Sequence, residues 1–565
     1  MTTVIVIVIY LGLLLGLALF SKTLFRGTSN DYFVASHSIG PFMLLMSVFG
    51  TTMTAFALVG STGKAFERGI GTYGLMASSS GLIHTACFLL IGVKIWSIGK
   101  RHGFVTQIQF FRARFDSNSL GYLLFPIFVL LVIPYLLIGV IGAGKTLQPA
   151  TAGAFPELFK HDNPLLSGGI PPWLSGLVIC GVVLAYIFAG GSRAAAWANT
   201  FQTLVFMIMG LVAFIFIFNV LSQAGNPSNV AARVTEKGTV VQEYKYDKES
   251  KKLLKAEEPK VVGKLKHPEE AKEWAGKQPH LTRDEVAITY KAKDPKTKKL
   301  VDKEREVGVP WLMFLTYMFI PLSVGMFPHL FQHWLTAKSA KAFKLTLIAH
   351  PLCIMIVWVP CVLIGIWATG LLPWGMPPAA VLSNVLKTLI GNPILTGMLT
   401  AGILAAIMSS LDSQFLCLGT IFTNDVVLHN SKKKYSDKQI LFMARSFVVA
   451  IVIVTYVLAL LLINQNVFDL AVWCFSGFAA LTPLVLAALY WKRATAAGAF
   501  ASVIGVVVTW FIFFAMSGFG GEYTVMGGVM PAAICWVVGA ALMVIVSLAT
   551  KPPSEETVNK FFNYN

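Results

Sequence analysis

The chain has 565 residues, of which 56% are hydrophobic and only 13% charged, and Phe alone occurs 41 times. A soluble surface carries roughly twice that charged fraction, so the composition excludes a soluble enzyme, a disordered tail protein and a secreted disulfide scaffold. It reads as an integral membrane protein with many spans. The formal charge of +18 is not a nucleic-acid signal, because residues 222–309 hold 20 Lys+Arg against 15 Asp+Glu, and the other 25 basic residues sit mainly in short loops between apolar runs. Such loops orient helices in a lipid bilayer; a nucleic-acid surface would cluster its charge on a helix or interleave it with stacking aromatics.

An apolar run of about 20 residues crosses the hydrocarbon core as a helix. Thirteen are predicted, at 3–21, 40–62, 72–99, 118–143, 172–191, 196–221, 310–334, 343–370, 394–427, 439–463, 467–491, 495–518 and 530–549. They are continuously apolar rather than alternating, which excludes a β-barrel and gives the fold class: an all-α polytopic membrane protein. The first run has no basic residue before it and Lys22 and Arg26 after it. It therefore reads as an uncleaved helix with its N-terminus outside, not as a signal peptide.

The loops then alternate. Lys100, Arg101, Arg112 and Arg114, then Arg193, Lys338, Lys341, Lys344, the 432–438 lysines, Lys492, Arg493 and Lys551 all fall on the side of Lys22. The opposite loops at 371–393, 464–466 and 519–529 carry only Lys387. The expected topology in the cell (inner) membrane is N-terminus out and C-terminus cytoplasmic. By the same count 222–309 is extracytoplasmic, and long translocated segments largely escape the charge bias. It alternates like strands at Thr239–Tyr246 and Val286–Lys291, which fits either a small two-hairpin domain or a flexible insert. The seven cysteines are scattered through the apolar runs and read as packing residues, not as disulfides or metal ligands.

Two spans carry helix breakers in corresponding places. Span 2 contains Gly50-Thr51-Thr52-Met53-Thr54 and span 7 contains Pro321, Gly325 and Pro328. A single such span reads as a packing kink. A matched pair five spans apart points to an inverted-repeat transporter with its site at the breaks. Span 9 adds Ser409, Ser410, Asp412, Ser413 and Gln414 at about mid-span. An isolated Ser would bond back to the backbone. A cluster of oxygen ligands suits a hard cation such as Na⁺, with freed carbonyls at the span 2 break completing the set.

At these residues the sequence resembles the sodium:solute symporter family. AAIMSSLDSQFLCLGTIFTNDVV in span 9, FAALTPLVLAALYWKRATAAGA in spans 11–12 and AYIFAGGSRAAAWANTFQT in spans 5–6 are similar to three ordered family motifs. The resemblance covers nearly all of the chain outside 222–309. It implies a five-plus-five inverted-repeat core with discontinuous helices. The domains are then 1–39 (first helix and loop), 40–221 (spans 2–6), 222–309 (insert), 310–491 (spans 7–11) and 492–565 (helices 12–13 and tail). The resemblance also implies Na⁺ as the coupling ion, held by the carbonyls of Gly50, Met53 and Ala406 and the hydroxyls of Ser409 and Ser410. Where many members carry Asp, this chain has Asn199, which puts a second cation there in doubt; Asp412 is the candidate to compensate, since an intramembrane carboxylate is costly and a functional candidate by default.

Phe56 and Ala57 stand where the sugar-carrying branch places polar side chains, and Gly325-Met326-Phe327-Pro328-His329 resembles the proline, pantothenate and monocarboxylate branch. A small organic acid or amino acid is expected rather than a sugar. Thr51, Thr54, Tyr317, Ser323, His329, Trp473 and Ser476 are the candidate solute contacts. No nucleophile elbow, metal-ligand motif or phosphate loop supports an enzyme or a metal site other than sodium. The expected function is sodium-coupled symport by alternating access; the rival readings are a substrate-binding sensor and a facilitator without sodium-driven accumulation.

Overall fold

A computed structural model describes residues 1–163, 166–293 and 299–562; residues 294–298 of the predicted insert and the last three of the predicted tail lie outside these. Ten helices among the described residues are long and apolar enough to cross a membrane. Those used below are α1 (Thr2–Leu24), α4 (Gly71–His102), α5 (Asn118–Ala150), α6 (Pro172–Leu221), α9 (Ala340–Ala368), α11 (Pro393–Leu428), α12 (Asp437–Leu461), α13 (Val467–Tyr490), α14 (Ala496–Met516) and α15 (Pro531–Ala549). Two bent pairs add a span each: α2 (Pro41–Thr52) with α3 (Phe56–Arg68), at 53°, and α7 (Trp311–Gly325) with α8 (Pro328–Thr336), at 50°. A shorter helix, α10 (Val381–Ile390), lies between α9 and α11.

The 50 residues of α6 would reach about 75 Å at 1.5 Å per residue, more than twice the hydrocarbon thickness. The helix is broken at Gly190 (φ −160°, ψ 18°) and Gly191 (φ 55°, ψ −135°). Gly191 sits in the left-handed region, and a Cβ there would stand 2.4 Å from the Tyr32 carbonyl oxygen, so only glycine allows the chain to turn this close to its neighbour. The break falls at the end of the predicted span 172–191, just before the predicted span 196–221.

Local chemistry explains both bent pairs. Met53 leaves the helical region at φ −90°, ψ 87° and ends α2. The Thr54 hydroxyl then accepts from the Phe56 amide at 3.0 Å and starts the next helix. In the second pair Pro328 opens α8, where its missing N–H costs nothing, and Phe327 before it is driven to the extended region (φ −62°, ψ 119°). The mid-span backbone released in this way is tolerated because it is buried in protein rather than exposed to lipid. Around the breaks, α6 packs along α11 and α1, and α5 along α11 and α13.

The described residues of the insert form a sheet. Five antiparallel strands, β1 (Arg233–Val234), β2 (Thr239–Asp247), β3 (Lys252–Leu265), β4 (Val286–Lys293) and β5 (Leu300–Val307), pair in sequence order. The two predicted strand segments lie in β2 and β4, within one five-stranded sheet rather than two separate hairpins. The sheet is bonded to the helices: Gln242 donates to the carbonyls of Thr369 and Leu372 at 2.8 and 2.9 Å, and Arg305 to those of Phe66 and Trp374 at 3.3 and 2.9 Å.

Candidate functional site

The break between α2 and α3 lies against the middle of α11. Ser409 Oγ stands 2.8 Å from the Gly50 carbonyl and 3.0 Å from that of Ala406, and so bridges the end of α2 to α11. Glycine at position 50 lets α2 lie close to α6, since a Cβ there would sit 2.2 Å from Thr203 Oγ1. Of the five candidate sodium ligands, Gly50, Ala406 and Ser409 are thus in direct contact. Ser410 turns its hydroxyl one turn back to the Ile407 carbonyl at 2.9 Å, and Met53 marks the end of α2, its amide on the Phe49 carbonyl at 2.9 Å. The donor set is hydroxyl and carbonyl oxygen throughout, which fits a hard monovalent cation.

The second candidate pair, Asn199 on α6 and Asp412 on α11, is also brought together. With its amide nitrogen toward the acid, Asn199 donates to the Asp412 oxygens at 2.9 and 3.2 Å and to the Ser409 carbonyl at 3.1 Å, while its oxygen accepts from Ser413 at 3.1 Å. This orientation satisfies both ends of the amide. Ser413 is the hub: its Oγ lies 2.9 Å from Asp412 Oδ1, from Thr51 Oγ1 and from His333 Nε2. Ser413 belongs to the polar cluster read in span 9, with no role of its own assigned there, and His333 was not among the sequence candidates. The available signal was the spacing of His329 and His333, four residues apart and so on one face of a short helix. Asp412 is fully buried, and its polar neighbours hydrogen-bond it without neutralising a charge.

Between the two breaks lies a cavity of about 30 Å³, reached by Thr52, Phe56, Tyr317, Ser323 and Phe327 from the broken pairs. Its wall is aromatic: Phe475 packs edge-on to Phe56 and Tyr135 with ring centres 5.0 and 4.9 Å away. Of the candidate solute contacts, Tyr317 and Ser323 line it. His329 stands one layer behind, stacked on Phe327 at 5.1 Å. The other candidates lie elsewhere. Thr51 faces the Ser413 hub and Thr54 caps the break. Trp473 and Ser476 line a second cavity of about 20 Å³ under Lys64, where Trp473 donates to the Gly521 carbonyl at 2.8 Å and Ser476 accepts from Trp510 at 3.1 Å.

Ion pairs lie at the far end of α3 and at the α6 break. Lys64, near the end of α3, is buried between Asp469 of α13 (3.2 Å) and Glu522 of the α14–α15 loop (2.7 Å). Arg68 joins the same Glu522 at 2.8 Å and Glu306 of β5 at 3.4 Å. Burial pushes the Glu522 carboxyl up, but Lys64 and Arg68 outweigh it and hold the group down at about 2. At the α6 break, Arg193 pairs with Asp31 at 2.6 Å. Burial again opposes the charge, and Arg193 with the Arg26 amide and the Ser36 hydroxyl holds Asp31 below the usual carboxylate range.

Broken helices crossing at an oxygen-lined centre define a secondary transporter of the inverted-repeat class. The description of the sodium:solute symporter family matches residues 32–155 and 166–505, and the chain belongs to that family. It is 24% identical to the high-affinity proline transporter PutP of Bacillus subtilis over 549 residues, which covers 96% of this chain and 97% of the relative. It is 24% identical to the sodium/proline symporter of Staphylococcus aureus over 574 residues, covering 99% and 95%. In fold it is similar to the substrate-bound, outward-open structure of a Na⁺-coupled sialic acid symporter, with a TM-score of 0.68, 16% identity and coverage of 98% and 99%. The chain is a multi-pass membrane transporter that couples movement of a small organic solute to Na⁺.

Proposed function

We propose that the solute is proline or an amino acid of similar size, imported with one Na⁺ per cycle. The observation that carries this reading is the lining of the cavity between the breaks, which at about 30 Å³ has to widen to admit a solute: aromatic walls from Phe56, Tyr135, Phe327 and Phe475 with a few hydroxyls at Thr52, Ser80 and Ser323. Such a lining suits a small apolar ring with one polar end; a sugar would leave several hydroxyls without partners, each costing about 1–3 kcal/mol. The names of the relatives support the same class. The Na⁺ is held by Gly50, Met53, Ala406, Ser409 and Ser410, and Ser409 ties its ligation to the α2 break that borders the cavity. Asn199, unable to carry charge, leaves Asp412 as a hydrogen-bonded acid and not as half of a second cation site. The N-terminus and the sheet lie outside the cell (inner) membrane and the C-terminus is cytoplasmic, by the distribution of basic loops.

The test is competition. Uptake of labelled L-proline by proteoliposomes in Na⁺ is measured against a tenfold excess of amino acids, monocarboxylates and sugars. Inhibition by proline and its near relatives with none by sugars is the expected result. Inhibition by sugars alone overturns the reading.

A further inference from the structure

We propose that His84 is a carboxylate anchor of the solute cavity, set in its donor form by His350 behind it; this rests on the reading of that cavity as the solute site. His84 on α4 is the one histidine that lines the cavity between the breaks. Its Nδ1 lies 3.2 Å from Nε2 of His350 on α9, which leaves Nε2 of His84 for the cavity. His350 is fully buried between Phe49 and Phe88, with ring centres 5.4 and 4.8 Å away, and its Nδ1 has no hydrogen-bond partner among the described residues.

The pattern assigns the tautomer. If His84 donated through Nδ1, His350 would carry its own proton on Nδ1 and bury an N–H with no acceptor. If His350 donates through Nε2 instead, its Nδ1 is a bare acceptor, the easier group to leave unpaired. His84 Nδ1 then accepts, and its proton sits on Nε2, facing the cavity. A donor at the end of an aromatic cavity recognises an acceptor, and a carboxylate oxygen makes the stronger, charge-assisted bond. His84 is therefore a residue that selects carboxylates over their amides, and His350 is a positioning residue that acts through it. The sequence gives no sign of the pair, since 266 residues separate its members.

The experiment measures binding by thermal shift of the purified, full-length protein in Na⁺, with L-proline against L-prolinamide and a panel of other small carboxylates against their amides. The wild type is expected to prefer the carboxylate of at least one pair. His84→Phe should reduce that preference at least 10-fold, and His84→Gln, which keeps an N–H donor, should restore part of it. His350→Phe should lower the preference in the same direction, with partial rescue by His350→Gln. The Na⁺-dependent stabilisation without solute should be unchanged in every variant, which shows that each has folded. A preference that survives intact in folded His84→Phe overturns the anchor, whichever carboxylate shows it. If proline fails but another carboxylate shows the preference and its loss, the proline reading falls and the anchor stands.

Discussion

Replacing Ser409 by Ala removes the side-chain oxygen that joins backbone carbonyls of both helices at the proposed sodium site. Its Oγ bridges the Gly50 and Ala406 carbonyls at 2.8 and 3.0 Å, so the substitution deletes one of the five proposed oxygen ligands and one link between α2 and α11, leaving the Thr51–Ser413 bond at 2.9 Å. Such a cage carries no net charge, and it replaces the hydration shell of the ion only through these dipoles. Loss of one oxygen and its inter-helix link should raise the Na⁺ concentration for half-maximal uptake at least ~10-fold, equivalent to ~1.4 kcal/mol. Ser410 is placed differently, with its hydroxyl on the Ile407 carbonyl of its own helix. Ser410→Ala should therefore shift the Na⁺ dependence less, by under ~3-fold or ~0.6 kcal/mol, and the double variant at least as far as Ser409→Ala. The assay is the initial rate of solute uptake by proteoliposomes across a Na⁺ series, with the reconstituted protein quantified. Wild-type sodium dependence in Ser409→Ala, or a larger effect at Ser410 than at Ser409, would refute the reasoning.

Three further outcomes are expected. The Na⁺ dependence of wild-type uptake should have a Hill coefficient near one, because Asn199 meets Asp412 as a neutral amide; a value approaching two would make Asp412 a cation ligand. The Glu522 carboxyl is depressed by Lys64 and Arg68 to about 2 from an ordinary value of 4.5, so its contribution to stability is fully present above that ordinary value and is lost as pH falls through about 2. Glu522→Gln should thus lower the thermal unfolding temperature at pH 7, and the gap to wild type should persist at pH 5 and shrink below pH 4; a gap that does not change with pH would count against the ion pairs. A cysteine at exposed Lys255 on β3 should react with an impermeant maleimide in intact, outer-membrane-permeabilised cells, and reaction only after lysis would invert the topology.

Much of this architecture is written in hydropathy, because a bilayer demands long apolar runs and every backbone bond satisfied within them. The positions of the runs and the breaks at Met53 and Phe327 follow from composition and from proline and glycine alone. The Gly190-Gly191 turn hides inside α6 as a continuous helical stretch and was legible only as a polar gap between two runs. Gly50, Ala406 and Ser409 were reachable through motif resemblance, and their contact follows from the packing of α2 on α11. Contacts between distant helices were not legible. His333 reaches Ser413 across 80 residues and Thr51 across 282, and nothing local marks such partners. Trp473 and Ser476 look like cavity residues from their place in span 11, yet hydrogen bonds to Gly521 and Trp510 turn them toward α14 and the loop that follows it. The insert shows the reverse case: its period-two segments at β2 and β4 were visible, but the docking of Gln242 and Arg305 onto helix-end carbonyls, which fixes the sheet in place, depends on tertiary approach.

The most direct test of sodium-coupled symport is accumulation of L-proline by proteoliposomes holding the purified protein, under an inward Na⁺ gradient with the membrane potential clamped. Uptake above equilibrium that collapses when the gradient is dissipated by a sodium ionophore is expected, and none when K⁺ replaces Na⁺. Equilibration of solute at the same rate with or without the Na⁺ gradient would contradict it.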